Sequence, residues 1–252
     1  MLKNKALLLS IALLSSQFCI AQSLKVAVAA NLQSVIKVLD ADFAQKTGIV
    51  VEPIIGSSGN LANQIKNGAP FDIFLSADMG FPQDLYTSGF AIDKAIVYAS
   101  GSLIVCSTQN INLKNWQTLI LTNNVAKVAV ANPAIAPYGK AAIEALAQLG
   151  LADKIKTKLV TGESIAQVNT YITTGVVTMG FTSQSLLMDA GQTVKLYWVP
   201  VEPKLYAPIE QGMVILKHAK ENNLQQAEKF YQYLLSSSAK AIFIQYGYIV
   251  KQ

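Results

Sequence analysis

From residue 24 onward, apolar and polar positions follow two alternating periods. Leu24–Ala29 is a short and nearly continuous apolar run, the pattern of a strand buried on both faces. Leu32, Val35, Ile36, Leu39 and Phe43 then recur at helical spacing as far as Gly48, a residue suited to ending a helix. The cycle repeats with a strand over Ile49–Ile55, a turn Gly56-Ser57-Ser58-Gly59-Asn60, and a helical face of Leu61, Ala62 and Ile65 up to Asn67-Gly68. Phe71–Leu75 reads as a third strand, and Ser76-Ala77-Asp78 leads into another helix. A second series begins near Ser100. Its strands fall on Leu103–Ser107, Lys127–Ala131, Lys158–Val160 and Val177–Thr182, and its helices on Tyr138–Leu149 and Ile165–Thr173. Val194–Val199 is a strand before a segment broken by Pro200, Pro203 and Pro208. Gly212–Leu216 is another, and amphipathic helices over Leu224–Leu235 and Ala239–Tyr246 close the chain.

Strands alternating with helices predict an α/β fold of mostly parallel sheets flanked by helices, with any ligand in the crevice beyond the carboxyl ends of the strands. Two such series predict two lobes facing one cleft. The first residues follow a different logic. Lys3 and Lys5 precede the apolar stretch Ala6–Leu14, and Ser15-Ser16-Gln17 follows, the order of a secretory signal. Cleavage is expected after Ala21, with Cys19 and Ala21 as the small residues of the cleavage site. A lipoprotein signal would want small residues before Cys19, where Gln17-Phe18 stand; a buried N-terminal helix is the remaining alternative. Removing 1–21 lowers the formal charge of +5 by two and leaves Cys106 as the one cysteine, so no internal disulfide forms. Cys106 lies in the strand-like run Leu103-Ile104-Val105-Cys106 and reads as a buried structural thiol. Beyond the first twenty residues no apolar run approaches the ~18 residues that span a bilayer, so the chain is not expected to be membrane-embedded.

Composition narrows the chemistry. The 252 residues are 52% hydrophobic and 14% charged, against about 25% charged in an ordinary domain, which excludes disorder. All 20 basic residues are lysine. Without arginine, bidentate recognition of phosphate or guanine is lost, and the lysines are scattered rather than clustered, so no nucleic-acid partner is expected. His218 is the single histidine and reads as a surface position; with one cysteine it cannot build an ordinary His/Cys zinc site. No G-x-S-x-G elbow, Walker loop or G-x-G-x-x-G follows a strand, and Asp72, Asp78 and Glu163 are not paired by spacing. No catalytic residue is expected. What does recur is small polar turns where strand hands over to helix: Ala29-Ala30-Asn31, Ser57-Ser58-Gly59, Pro137-Tyr138-Gly139, Glu163-Ser164-Ile165 and Thr182-Ser183-Gln184. Singly, each is an ordinary N-cap. Together they can aim several helix N-termini at one crevice, each carrying about half a positive charge and free N–H groups. Such a crevice holds a dianion with neutral donors.

Four segments carry a family resemblance: Ala29-Ala30-Asn31-Leu32, Gly56–Ala62, Gly68-Ala69-Pro70-Phe71-Asp72-Ile73-Phe74-Leu75-Ser76-Ala77-Asp78, and Ile242–Tyr248. They resemble the periplasmic molybdate-binding proteins of molybdate ABC importers, over essentially the whole chain after the signal. The resemblance implies a two-lobed type II periplasmic-binding-protein fold, with residues 22–99 and 205–252 as lobe I, 100–204 as lobe II, and crossings near Ala99–Leu103 and Trp198–Pro208. It implies a monomeric periplasmic receptor with no cofactor and no catalytic step. Molybdate or tungstate is its ligand, molybdenum enters only as the oxyanion, and ABC permease subunits are its partners. Carried over by position, the ligand residues are Asn31, Ser58, Tyr138 and Ile165, the last two through backbone N–H groups, with Ser183 as the fifth. The sequence departs from the family pattern at Asn31, where serine is common, and at Ser183, where a tyrosine hydroxyl reaches in. A receptor for sulfate or another tetrahedral oxyanion, and a secreted serine hydrolase using His218, stay open beside this reading.

Overall fold

A computed structural model of the chain describes residues 23–190 and 194–251. The signal segment, its cleavage site and Cys19 lie outside the described residues. The apolar run Leu24–Ala29 is strand β1, and the helical periodicity after it becomes α1 (Gln33–Thr47), entered through a 3-10 turn at Ala30–Leu32. Val35, Ile36, Leu39 and Phe43 form the buried stripe of α1, and Gly48 ends it at φ 71° with its N–H on Ala44 O. Then follow β2 (Val51–Gly56), α2 (Ser58–Lys66), β3 (Ile73–Leu75), α3 (Gly80–Thr87) and β4 (Ile96–Gly101). The second series comprises β5 (Leu103–Ser107), α4 (Trp116–Leu119), β6 (Val128–Ala131), α5 (Pro137–Gln148), β7 (Leu159–Gly162), α6 (Ile165–Thr173), β8 (Met179–Ser183), α7 (Leu186–Ala190) and β9 (Tyr197–Pro200). The chain returns in β10 (Ile209–Ile215) and ends with α8 (Lys217–Asn222), α9 (Leu224–Leu234) and α10 (Ser237–Gln245).

These elements make two lobes, each a five-stranded sheet flanked by helices, in the orders β2-β1-β3-β10-β4 and β7-β6-β8-β5-β9. Pairing is more mixed than mostly parallel. In the first sheet β1 pairs in parallel with β2 and β3, while β10 runs antiparallel to β3 and β4. In the second, β6 is parallel to β7 and β8, while β5 is antiparallel to β8 and β9. The cause is the double crossing between lobes. A strand that arrives from the other lobe enters at the cleft end, so β5 and β10 run against neighbours that deliver their carboxyl ends to the cleft. Strand β4 was not anticipated, because its half-buried residues lack strict alternation and end in Ala99-Ser100-Gly101.

Each lobe has its own core. In the first, Phe43 packs edge-on against Phe230 (centroids 4.9 Å apart), fastening α1 to α9. In the second, Trp116 meets Phe181 at 5.2 Å. Cys106 is buried in β5, where burial pushes its thiol up to about 12. Among the described residues no helix is long and apolar enough to cross a membrane.

Candidate functional site

The cleft lies where β1, β2 and β3 on one side and the chain after β6 and β7 on the other deliver their ends into helices. Asn31, Ser57, Ser58, Tyr138 and Ile165, with small apolar residues between them, surround a small cavity of about 10 Å³, and no charged side chain lines it. Asn31 sits in the 3-10 turn before α1, Ser57 and Ser58 at the start of α2, Tyr138 in the first turn of α5, and Ile165 at the first position of α6. First-turn N–H groups have no carbonyl one turn back to bond. Four helix starts therefore present donors to one small space.

The side chains refine this picture. Ser58 Oγ accepts from the Ala77 N–H at 3.0 Å, which engages a lone pair and leaves its proton for the cleft. Ser57 occupies the N-cap of α2 yet makes no capping bond, and its hydroxyl is buried without a partner. Ser57 was missed in the sequence, although the tandem serine at a helix start was the available signal. Tyr138 turns its ring away from the cleft. Its hydroxyl accepts from Gln211 Nε2 at 3.1 Å and sits against Gly101, where any Cβ would collide with it. Only its backbone is left to face a ligand, and the same holds for the aliphatic Ile165. Asn31 donates both amide protons inward, to Gln211 Oε1 and the Tyr248 hydroxyl, each at 3.0 Å, and its Oδ1 is buried without a partner. Burial raises the phenols of Tyr98 and Tyr138 well above the usual tyrosine range and that of Tyr248 to about 12, so the bed beneath Asn31 is polar but neutral.

Ser183 is not brought to the cleft lining. Its hydroxyl lies 2.8 Å from that of Ser185, which in turn donates to the Asn31 carbonyl at 2.8 Å, so Ser183 stands one layer behind. That Ser185 bond crosses between lobes. So do the Gly59 N–H bond to Ile135 O (2.9 Å) and the Gln211 bond to Tyr138. A Cβ on Gly59 would lie 2.8 Å from Ile135 Cα, so only glycine permits this approach. The lobes are closed on one another.

The charged residues singled out in the sequence are engaged elsewhere. His218 is partly exposed, as a near-surface position should be, but Asp72, which no spacing pairs with a partner, is not isolated. Asp72 is fully buried, accepts from Lys25 N–H (2.9 Å) and Asn223 Nδ2 (3.1 Å), and pairs with His218 Nδ1 at 2.9 Å. Asp72 precedes β3 whereas Ser76 and Ala77 follow it, so the pair sits at the end of the sheet away from the cleft. Asp78 accepts from the Phe81 N–H (3.2 Å) and the Ser76 hydroxyl (3.1 Å) at the start of α3, with burial raising its carboxyl. Glu163 is exposed. Among the described residues no three histidine, cysteine or acidic side chains gather as a metal site.

Two mixed sheets closed over a small cleft of neutral donors define a two-lobed solute-binding protein. The chain belongs to the bacterial extracellular solute-binding protein family, which it matches over residues 24–249. It is similar to the molybdate-binding protein ModA of Azotobacter vinelandii, 36% identical over 91% of this chain and 92% of that one. The molybdate-binding protein ModA of Rhodobacter capsulatus is also 36% identical, over 89% of this chain and 87% of its own. The solved structure of the Azotobacter vinelandii periplasmic molybdate-binding protein superposes with a TM-score of 0.86 at 32% identity, covering 91% of this chain and all of that one.

Proposed function

We propose that this chain is a periplasmic receptor that captures molybdate or tungstate between its lobes and delivers it to the permease subunits of an ABC importer. Lobe I comprises residues 22–99 and 205–252, lobe II residues 100–204, and cleavage after Ala21 releases the chain as a monomer into the periplasm. The observation that carries this reading is a cleft lined by helix-start N–H groups, serine hydroxyls and the Asn31 amide, with no carboxylate among them. A fully ionised tetrahedral dianion offers only acceptors, and four helix N-termini offset about two negative charges. Ser58, through Oγ and N–H, the backbone N–H groups of Asn31, Tyr138 and Ile165, and the unpartnered Ser57 hydroxyl are the donors in this reading, with Ser183 bracing Asn31 from behind. The relatives named for molybdate binding support it, and none of those relatives is named as an enzyme. A serine hydrolase finds less support, because His218 pairs with Asp72 at the far end of the sheet.

Thermal denaturation with molybdate, tungstate, sulfate and phosphate tests the proposal. A ligand at a hundredfold excess over Kd stabilises the native state by about 2.7 kcal/mol. Molybdate and tungstate are expected to raise Tm by that equivalent, and sulfate and phosphate by much less. A rise with sulfate alone would establish the sister specificity, and no rise with any oxyanion would refute the receptor reading.

A further inference from the structure

Asn31 meets the cleft with an atom that does not suit the ligand proposed above. Both of its amide protons are spent inward, on Gln211 Oε1 and the Tyr248 hydroxyl, while Oδ1 is buried without a partner at a residue that lines the cleft. An acceptor there repels a dianion. Gln211, fully buried in β10, carries a related mismatch one step further in. Its Oε1 lies 3.0 Å from Asn31 Nδ2 and 2.9 Å from the Tyr98 hydroxyl, and its Nε2 donates to Tyr138 at 3.1 Å. Tyr98 has one proton but two acceptors in reach, Gln211 Oε1 and the Ser76 carbonyl at 3.0 Å. Among the described residues the Tyr138 proton finds no acceptor at all.

We propose that Asn31 and Gln211 turn their amides over together when the oxyanion binds, and that Gln211 is the positioning residue that decides which end of Asn31 faces the cleft. The inference rests on the oxyanion reading. A half-turn of each amide exchanges oxygen and nitrogen while leaving the other heavy atoms in place. Gln211 Nε2 then donates to Asn31 Oδ1 and to the Tyr98 hydroxyl, which gives its single proton to the Ser76 carbonyl. Gln211 Oε1 accepts the formerly unmatched proton of Tyr138. Tyr248 swings its proton from the Asn31 carbonyl (2.7 Å) to Asn31 Oδ1, and the Ser185 hydroxyl keeps that carbonyl satisfied. Asn31 Nδ2 is released to donate to the anion. Each hydroxyl proton of the network now has one acceptor, the Tyr248 bond to the Asn31 carbonyl being exchanged for one to Asn31 Oδ1. Because Gln211 belongs to the first sheet and Tyr138 to α5 of the other lobe, the Gln211 amide bonds across the closed lobes in both states, donating in one and accepting in the other. The inward state suits a ligand that brings its own proton; the turned state suits a fully deprotonated one.

Calorimetric titration of the full chain with molybdate, arranged as a double-mutant cycle, tests this. Gln211→Met removes both ends of the amide at similar volume and is expected to weaken molybdate binding roughly 10-fold, the loss of one charge-assisted donor. In an Asn31→Ala background the same substitution should cost clearly less than in the parent, leaving only what the lost Gln211 bond to Tyr138 takes from lobe closure. The unmutated protein gives a second readout that needs no variant to fold. Side-chain amide signals of Asn31 and Gln211, assigned through bonds by NMR, should shift together on saturation with molybdate, with a new contact between the Gln211 amide protons and the Tyr98 ring. Molybdate binding with additive substitutions, or with Gln211 signals that stay in place, overturns the switch and leaves the receptor standing. Absence of molybdate binding to the unmutated chain overturns both.

Discussion

A hydroxyl with a lone pair already engaged is left with its proton to give, and Ser58 is in that position because Ala77 N–H occupies its oxygen. A hydrogen bond to a charged group is worth ~1.5–3 kcal/mol, so Ser58→Ala should weaken molybdate binding about 10- to 150-fold by calorimetry. Ser58→Asp should do far worse, placing a like charge against the anion, whereas Lys220, exposed on α8, should be replaceable with no change in Kd. Equal Kd for Ser58→Ala and the parent would remove Ser58 from the site. Much of the candidate cleft's lining was legible at this scale, since Asn31, Ser58, Tyr138 and Ile165 each stand in a small polar turn at a helix start. The pairing of Asp72 with His218 was not, because the partners are 146 positions apart and meet only through the sheet. Nor was the retreat of Ser183, which depends on Ser185 reaching Asn31 across the cleft.

Helix α1 separates what periodicity reveals from what packing adds. Its buried stripe of Val35, Ile36, Leu39 and Phe43 was plain in the sequence. The burial of Asp40 beside that stripe was not, because it depends on tertiary packing that the helical period does not show. One carboxyl oxygen of Asp40 is buried without a partner, and desolvation pushes the group up to about 7 from 3.8. Tyr233 of α9, whose phenol is raised first by burial and by its hydrogen bond to Asp42, is close enough for the Asp40 charge to add to that shift. A carboxyl whose folded pKa is raised keeps its proton longer in the native state than in the unfolded one. Its contribution is therefore intact below about pH 4 and falls progressively as pH rises to 7. Asp40→Asn removes this dependence. Its Tm should exceed that of the parent at pH 8 and converge with it near pH 4, as followed by thermal melts across that range. A gap that stays constant with pH would mean that Asp40 is ionised in the fold at all these values.

Across the whole molecule, the two lobes were legible because a strand-helix cycle that restarts after a break describes two sheets. Closure was not, because it depends on pairs such as Gly59 with Ile135 and Gln211 with Tyr138, which no local pattern links. The antiparallel strands were hidden for the same reason, since direction follows from which lobe a strand comes from. The absence of arginine, visible at once, turned out to agree with a cleft that carries no charged side chain. The proposed function stands or falls on an oxyanion held between the lobes by neutral donors. Crystals grown with molybdate and measured at the molybdenum absorption edge test it directly. One anomalous peak per chain is expected in the cleft, with the surrounding oxygens in hydrogen-bond reach of Ser58 Oγ and of the N–H groups of Asn31, Tyr138 and Ile165. Molybdenum bound at surface lysines, with the cleft empty at saturating molybdate, would contradict it.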